Sequence, residues 1–214
     1  MKETEKNRII KRYNDRFAKV GLNQAGLAVG TEERCNLRFK ILAESGIRPG
    51  DSVLDLGCGF GDFLAYLQNN GLEVMYTGYD INPVVIVEAR KRHPGRSFEV
   101  LDVLEEDFPV FDFILSSTSF NLPLLEVDNY AFIAELLEKC YHHSRKAVSI
   151  DFLSSYCDYL SAEGFHYQPE RIFAIAKKIT KSVLLRHDYH LYEFNVVLYK
   201  DWPGWGNRFD DEDP

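Results

Sequence analysis

Apolar residues fall into two alternating rhythms along this chain. Short branched and aliphatic runs read as buried strands near residues 52–57, 73–80, 96–101, 111–117 and 146–152. Between them, apolar positions recur at helical spacing near 61–70, 83–93, 128–143 and 169–179. This alternation predicts an α/β fold, a doubly wound and mostly parallel sheet with helices on both faces. The stretch SVLLRHDYHLYEFNVVLYK, residues 182–200, breaks the rhythm. It holds two strand-like runs joined by a short polar turn, an antiparallel hairpin that completes a seven-stranded sheet.

Residues 1–45 precede the first strand. KNRIIKRYNDRF, from residue 6, and TEERCNLRFKILAES, from residue 31, each predict a helix. Thr31 caps the second, and Glu32 and Glu33 sit in its first turn, where the helix dipole favours acids. Leu37, Ile41 and Leu42 make its buried stripe. The intervening VGLNQAGLAVG reads as a glycine-rich linker. The expected division is an N-terminal helical lid (1–45), a ligand-binding domain (46–200) and an acidic tail (201–214). A sheet built from residues after 45 has no structural use for residues 1–30. They are expected to cover the ligand, with Tyr13 facing it.

The densest signal is VLDLGCGFGDF, residues 53–63. Val53, Leu54 and Leu56 make a strand that the glycines cannot continue, and Phe63, Leu64 and Leu67 then take helical spacing. A glycine turn between strand and helix lets a ligand lie on bare backbone. The spacing G-x-G-x-G departs from the pyrophosphate fingerprint G-x-G-x-x-G. Asp55, two residues before the first glycine, repels phosphate and attracts an ammonium, which points to a cationic or zwitterionic ligand.

VLDLGCGFG resembles motif I of the class I S-adenosylmethionine-dependent methyltransferases. YTGYDINPVVIVEARKR (76–92), FEVLDVLEEDFP (98–109) and FDFILSSTSFN (111–121) resemble that family's second, third and fourth strands in order. The acids Asp55, Asp80 and Asp102 follow one another at 25 and 22 residues, each about one β-α unit. The resemblance implies a cofactor, S-adenosylmethionine, with S-adenosylhomocysteine as product. It places Gly57, Cys58, Gly59 and Gly61 under the methionine portion, Asp55 at its amino group, Asp80 at the ribose hydroxyls, and Asp102 with the Val103 amide at the adenine. Phe60 and Ile81 would sandwich the ring, and Ser116 would close the site from the fourth strand. Arg38 has two readings, a partner for the methionine carboxylate or a surface ion pair with Glu32 or Glu33. Asp62 reads as a helix-terminus acid.

Charge narrows the acceptor. The net charge is −8 and no basic stretch is long enough to track a phosphate backbone, which disfavours nucleic acid. No apolar run approaches a membrane span. Cys35, Cys58, Cys140 and Cys157 show no metal-ligand spacing, so no metal is expected, and free thiols without a signal peptide suit the cytoplasm. A small molecule is the expected partner.

In open α/β sheets, ligands bind beyond the carboxyl ends of the strands. SSTSFN (116–121) reaches that edge and offers Ser117 and Asn121 to the acceptor. The segment after the fifth strand offers Tyr156, and the hairpin turn offers His187, Tyr189 and His190. His187 is the first candidate base for a hydroxyl acceptor, His190 the second, with Tyr156 beside them. Together these features predict O- or N-methylation of a small polar metabolite. The alternatives are an RNA or protein methyltransferase, a cofactor-binding protein without transfer, and a non-methyl use of the sulfonium.

Overall fold

The computed structural model describes residues 1–201. The predicted acidic tail therefore lies, apart from Asp201, outside the described residues. Three helices come first, α1 (Glu3–Val20), α2 (Gln24–Leu27) and α3 (Glu32–Ala43). The alternating core follows as β1 (Ser52–Leu56), α4 (Asp62–Asn69), β2 (Met75–Asp80), α5 (Pro83–Arg92), β3 (Ser97–Val100), β4 (Phe111–Ser116), α6 (Asn129–His142), β5 (Ser144–Leu153) and α7 (Pro169–Ile179). The chain closes with β6 (Val183–His190) and β7 (Glu193–Tyr199).

The sheet order is β3-β2-β1-β4-β5-β7-β6. All pairings from β3 to β5 are parallel, whereas β5–β7 and β6–β7 are antiparallel. The doubly wound sheet with a terminal hairpin is thus the observed fold. Sequence order reverses at β1, between β2 and β4, so a crevice opens at the carboxyl end of β1.

Both faces are filled. Ile133, Leu136 and Leu137 of α6 and Ile172 of α7 pack on one side with Ile114, Val148 and Val196. Phe39 and Leu42 of α3, Phe63 and Leu67 of α4 and Ile86 of α5 pack on the other with Val53 and Leu115. Each fully buried side chain of this size contributes about 1.5–3 kcal/mol. Local chemistry sets the helix starts. Thr31 accepts from the Arg34 amide as expected, and Asn82 accepts from the Val84 amide with Pro83 at the first helical position.

Three expectations need correction. Ile41 and Leu42 of α3 are buried as expected, but Cys35 and Phe39 join them while Leu37 is only half-buried, because α3 packs against α4 through Phe39 and Phe63. The glycine-rich linker contains a helical turn, α2, whose start Asn23 caps by accepting from the Gly26 amide. Finally, His187 to His190 lie within β6. Only Leu191 and Tyr192 form the turn, and the register shifts between Arg186 and His190.

Candidate active site

The β1 end, the turn after it and the neighbouring strand ends wall one cavity. Asp55 pairs in register with Gly78, and Leu56 with Tyr79, so Asp80 projects just beyond the end of β1. Asp80 in turn pairs with Val100, and Asp102 follows two residues later. The parallel register therefore gathers three acids at one edge, and all three line the cavity.

Each acid is held. Asp55 is buried, and the Tyr76 hydroxyl donates to its Oδ2 at 2.6 Å. Burial pushes its carboxyl up to about 7 against that hydrogen bond, with Asp80, Asp62 and Asp151 adding to the rise. Asp80 accepts from the Asn82 amide at 2.8 Å and the Gly59 amide at 3.3 Å. Burial raises it to about 6 while these amides hold it down. Asp102 accepts from the Leu104 amide at 3.1 Å. Asp102 also meets the Met1 ammonium at 3.4 Å, whereas Asp55 and Asp80 are carboxylates without an ion-pair partner among the described residues, a poor structural arrangement and a good receptor for a hydroxyl- and ammonium-bearing ligand.

The glycines do different jobs. A Cβ on Gly57 would stand 2.1 Å from Ser119 Oγ, so this residue lets the loop after β4 close onto the turn. Gly59 has φ +55°, and a Cβ there would meet Leu27 Cδ1 at 3.1 Å. Gly61 does not line the cavity. It starts α4, and a Cβ would strike His93. Cys58 lines the cavity, but its buried thiol is pushed well above its ordinary value, which makes it an inert small side chain.

The N-terminal helices roof the cavity. Ile9, Ile10 and Tyr13 of α1, Leu27 of α2 and Val29 line it from above. Glu5 anchors α1. It is 2% exposed, and its Oε2 accepts from the amides of Leu125 at 3.1 Å and Glu126 at 3.3 Å. Its other oxygen pairs with Arg8, which donates to the Pro123 carbonyl. Asn82 donates to Asn14 at 2.9 Å, fixing the middle of the helix to the end of β2.

The structure brings Tyr13, Arg38, Asp55, Gly57, Cys58, Gly59, Asp80, Ile81, Asp102, Val103 and Ser117 to this cavity. Asp62 also lines it, so that acid does more than complement a dipole. Phe60 does not. It is fully buried against Phe17 and Val85 with the Arg92 guanidinium 4.3 Å away, so it supports α1 instead of facing the cavity. Ser116 donates to the Leu56 carbonyl at 2.7 Å and ties β4 to β1. Asn121 accepts from the Leu153 amide at 2.9 Å and braces the loop. Arg38 is 2% exposed and pairs with Glu193 at 3.0 Å, not with Glu32 or Glu33.

The three catalytic candidates lie off the cavity wall. The His187 ring lies tilted beside Tyr156 and edge-on to Phe194, with ring centroids at 6.4 and 6.0 Å. His190 accepts from the Tyr192 amide, and the exposed Tyr156 donates to Glu170. None of the three is among the residues that line the cavity. Sequence reasoning also passed over Thr118, Leu27 and Asp151. Thr118 has φ +58°, unusual outside glycine, and its amide donates to Asp151 Oδ1 at 2.7 Å. Only Asp151, an acid at the end of a strand like the other three, carried a signal in the sequence.

Comparison with known proteins places this geometry. Residues 53–146 match a family model described as a methyltransferase domain. A Mycobacterium tuberculosis protein provisionally described as a methyltransferase is 33% identical over 154 residues, 70% of this chain and 93% of that protein. A demethylmenaquinone methyltransferase of Beutenbergia cavernae is 25% identical over 158 residues, 74% of this chain and 62% of the relative. Among solved structures, human N-acetylserotonin methyltransferase with S-adenosylmethionine superposes with TM-score 0.65 at 15% identity, over 92% of this chain and 59% of that one. A methyltransferase from Archaeoglobus fulgidus gives 0.61 at 16% identity, over 80% and 95%. These two structures share the fold. The cradle over Gly57 and Gly59 and the three strand-end acids fit a zwitterionic nucleoside. No helix among the described residues is long and apolar enough to cross a membrane. The chain belongs to the class I S-adenosylmethionine-dependent methyltransferases, and S-adenosylmethionine is its cofactor.

Proposed function

We propose that this enzyme methylates a small polar metabolite in the cytoplasm, with neither nucleic acid nor membrane as partner. One observation carries the reading. The cavity is covered by α1 and α2, with Tyr13 and Leu27 over the glycine turn, and Glu5 clasps α1 to the loop after β4. A lidded cavity favours an acceptor that can be enclosed and excludes water from the sulfonium. The net charge of −8 adds to the case against a polyanion.

In this reading, Asp80 accepts from both ribose hydroxyls and Asp102 from the adenine amino group, with the Val103 amide beside it. Ile81 packs on the ring, and Asp55 orients the methionine ammonium over the backbone of Gly57 and Gly59. Arg38 reaches the carboxylate end while held by Glu193. When bound, the cofactor supplies an activated methyl group, and the chain's task is to align an acceptor in line with it. Residues 1–45 then act as lid and residues 46–200 as the transfer domain.

Incubation with methyl-labelled S-adenosylmethionine and a whole-cell extract tests this. Label in low-molecular-weight products supports the reading. Label confined to protein or RNA overturns it, and release of methylthioadenosine instead of S-adenosylhomocysteine would mean that the sulfonium is used without methyl transfer.

A further inference from the structure

A second polar cluster adjoins the cavity. Asp151 of β5 pairs in register with Asn195 of β7, and Glu193 lies two residues along β7 on the same face. Arg38 comes down onto that face from α3. Asp151, Glu193, Asn195 and Arg38 are each at most 2% exposed. Glu193 accepts from Arg34 at 2.6 Å and from Arg38 at 3.0 Å, while Asp151 Oδ1 takes the Thr118 amide. Tyr189 enters from the bulged part of β6 and feels the charges of Asp151, Glu193 and Arg38. Among the described residues, Asp151 Oδ2, the Tyr189 hydroxyl, Arg38 Nε and Arg34 Nε are buried without a hydrogen-bond partner. Buried polar atoms are nearly always paired, so four orphans in one cluster point to a polar group that belongs there. Arg38, Ser117 and Thr118 line the cavity, and Asp151, Glu193, Asn195 and Tyr189 stand directly behind them.

The orphans define that group. Asp151 Oδ2 needs a donor, whereas Arg34 Nε, Arg38 Nε and the Tyr189 hydroxyl need an acceptor. An ammonium cannot accept, and Arg34 and Arg38 repel it. A carboxylate cannot donate, and Asp151 and Glu193 repel it. A neutral hydroxyl both donates and accepts. We propose that this cluster is the acceptor subsite, that it takes a hydroxyl group, and that Asp151 Oδ2 receives the hydroxyl proton. The proposal rests on the small-metabolite reading above and narrows it to O-methylation. As the acceptor oxygen bonds to the methyl carbon, the carbon–sulfur bond breaks with its electron pair left on sulfur. The proton passes to Asp151 Oδ2, so charge balances.

Asp151 suits that task. Burial pushes its carboxyl up to about 7, opposed by Arg38 and assisted by Glu193, with the Thr118 amide and Ser117 holding it down. The groups around it are Arg34 and Arg38 from α3, Glu193 from β7, Tyr189 from β6, Asp55 from β1 and Ser117 and Thr118 from the end of β4. A base near neutrality serves general-base catalysis best.

The test uses the full chain, carbon-13 methyl-labelled S-adenosylmethionine and a defined panel of monosaccharides, phenols, amines and carboxylic acids, with products read by carbon NMR. The expected products are methyl ethers. On the best acceptor, Asp151→Asn should lose transfer by about 100-fold or more and lose the rise in rate as pH climbs toward neutrality. Tyr189→Phe removes a hydroxyl that bonds nothing within the described residues, so it should fold normally and raise KM about tenfold. Both variants should bind S-adenosylhomocysteine within about twofold of the parent by calorimetry. Label only on amines or carboxylic acids, or on no panel member, overturns the proposal. So does full activity in Tyr189→Phe, or cofactor affinity that falls in step with rate. Label found only on macromolecules in the extract experiment would instead remove the small-metabolite reading beneath it.

Discussion

Asp80→Asn probes the ribose assignment with little change of volume. In the free protein, Asp80 Oδ1 accepts from the Asn82 amide at 2.8 Å and Oδ2 from the Gly59 amide at 3.3 Å. An asparagine retains one acceptor oxygen, and the shorter bond to Asn82 will claim it. Its amide nitrogen then faces the Gly59 amide, donor against donor, and offers nothing to one ribose hydroxyl. A hydrogen bond to a charged group is worth about 1.5–3 kcal/mol. At about 1.4 kcal/mol per tenfold, the dissociation constant of S-adenosylhomocysteine should rise roughly 10- to 150-fold. Titration calorimetry measures this, and thermal melting of the free protein should fall only slightly, since the Gly59 contact is long. Asp80→Ala should lose affinity on the same scale while freeing both amides. Protonation of the wild-type acid imitates the mutation, so affinity should also weaken as pH falls through about 6. If Asp80→Asn binds within threefold of the parent at pH 7.5, the carboxylate does not hold the ribose and its role is to brace the glycine turn.

Three further outcomes follow from the same geometry. Gly59→Val forces a β-branched residue into φ +55° beneath Leu27 and should abolish measurable S-adenosylhomocysteine binding with a lower melting temperature; a variant that folds and binds normally would reduce the glycine turn to a plain connection. Glu5→Ala frees the Leu125 and Glu126 amides at a cost of about 1–3 kcal/mol to the clasp, so stopped-flow release of S-adenosylhomocysteine should quicken and hydrogen exchange in residues 3–20 should rise, whereas unchanged release would mean that α1 does not gate the site. The folded pKa values of Asp55, Asp80 and Asp151 are raised to about 7, 6 and 7, so between about pH 4 and 7 the folded chain binds more protons than the unfolded one and the free protein should lose stability as pH rises through that window, a trend that chemical denaturation at stepped pH would contradict if stability rose instead.

The strand and helix rhythm was legible because burial on two faces imposes it residue by residue. Strands of continuous apolar residues belong to a sheet covered on both sides, and the reading of 111–117 as a strand needs no knowledge of what lies beside it. The glycine turn was legible for a related reason: strand, turn and helix are consecutive in the chain, so Asp55 and Gly59 declare their geometry locally. Asp80 and Asp102 were legible through spacing, because each β-α unit returns the chain to the same edge. Phe60 was misplaced because its partners, Phe17 and Arg92, are distant in sequence and the turn alone does not say which way an aromatic ring will go. The histidines of the hairpin were misplaced because β6 runs on to His190 and leaves only Leu191 and Tyr192 as the turn, an extent that pairing with β7 decides. Arg38 met Glu193, 155 positions away, and Asp151 met Thr118 across two strands. Long-range partners of this kind leave no periodic trace, since a single buried polar contact needs only one residue at each end. The chain's own order thus determined the fold and the cofactor's edge of the sheet, while the polar cluster beside that edge exists only because β5, β7, β6 and α3 fold over one another.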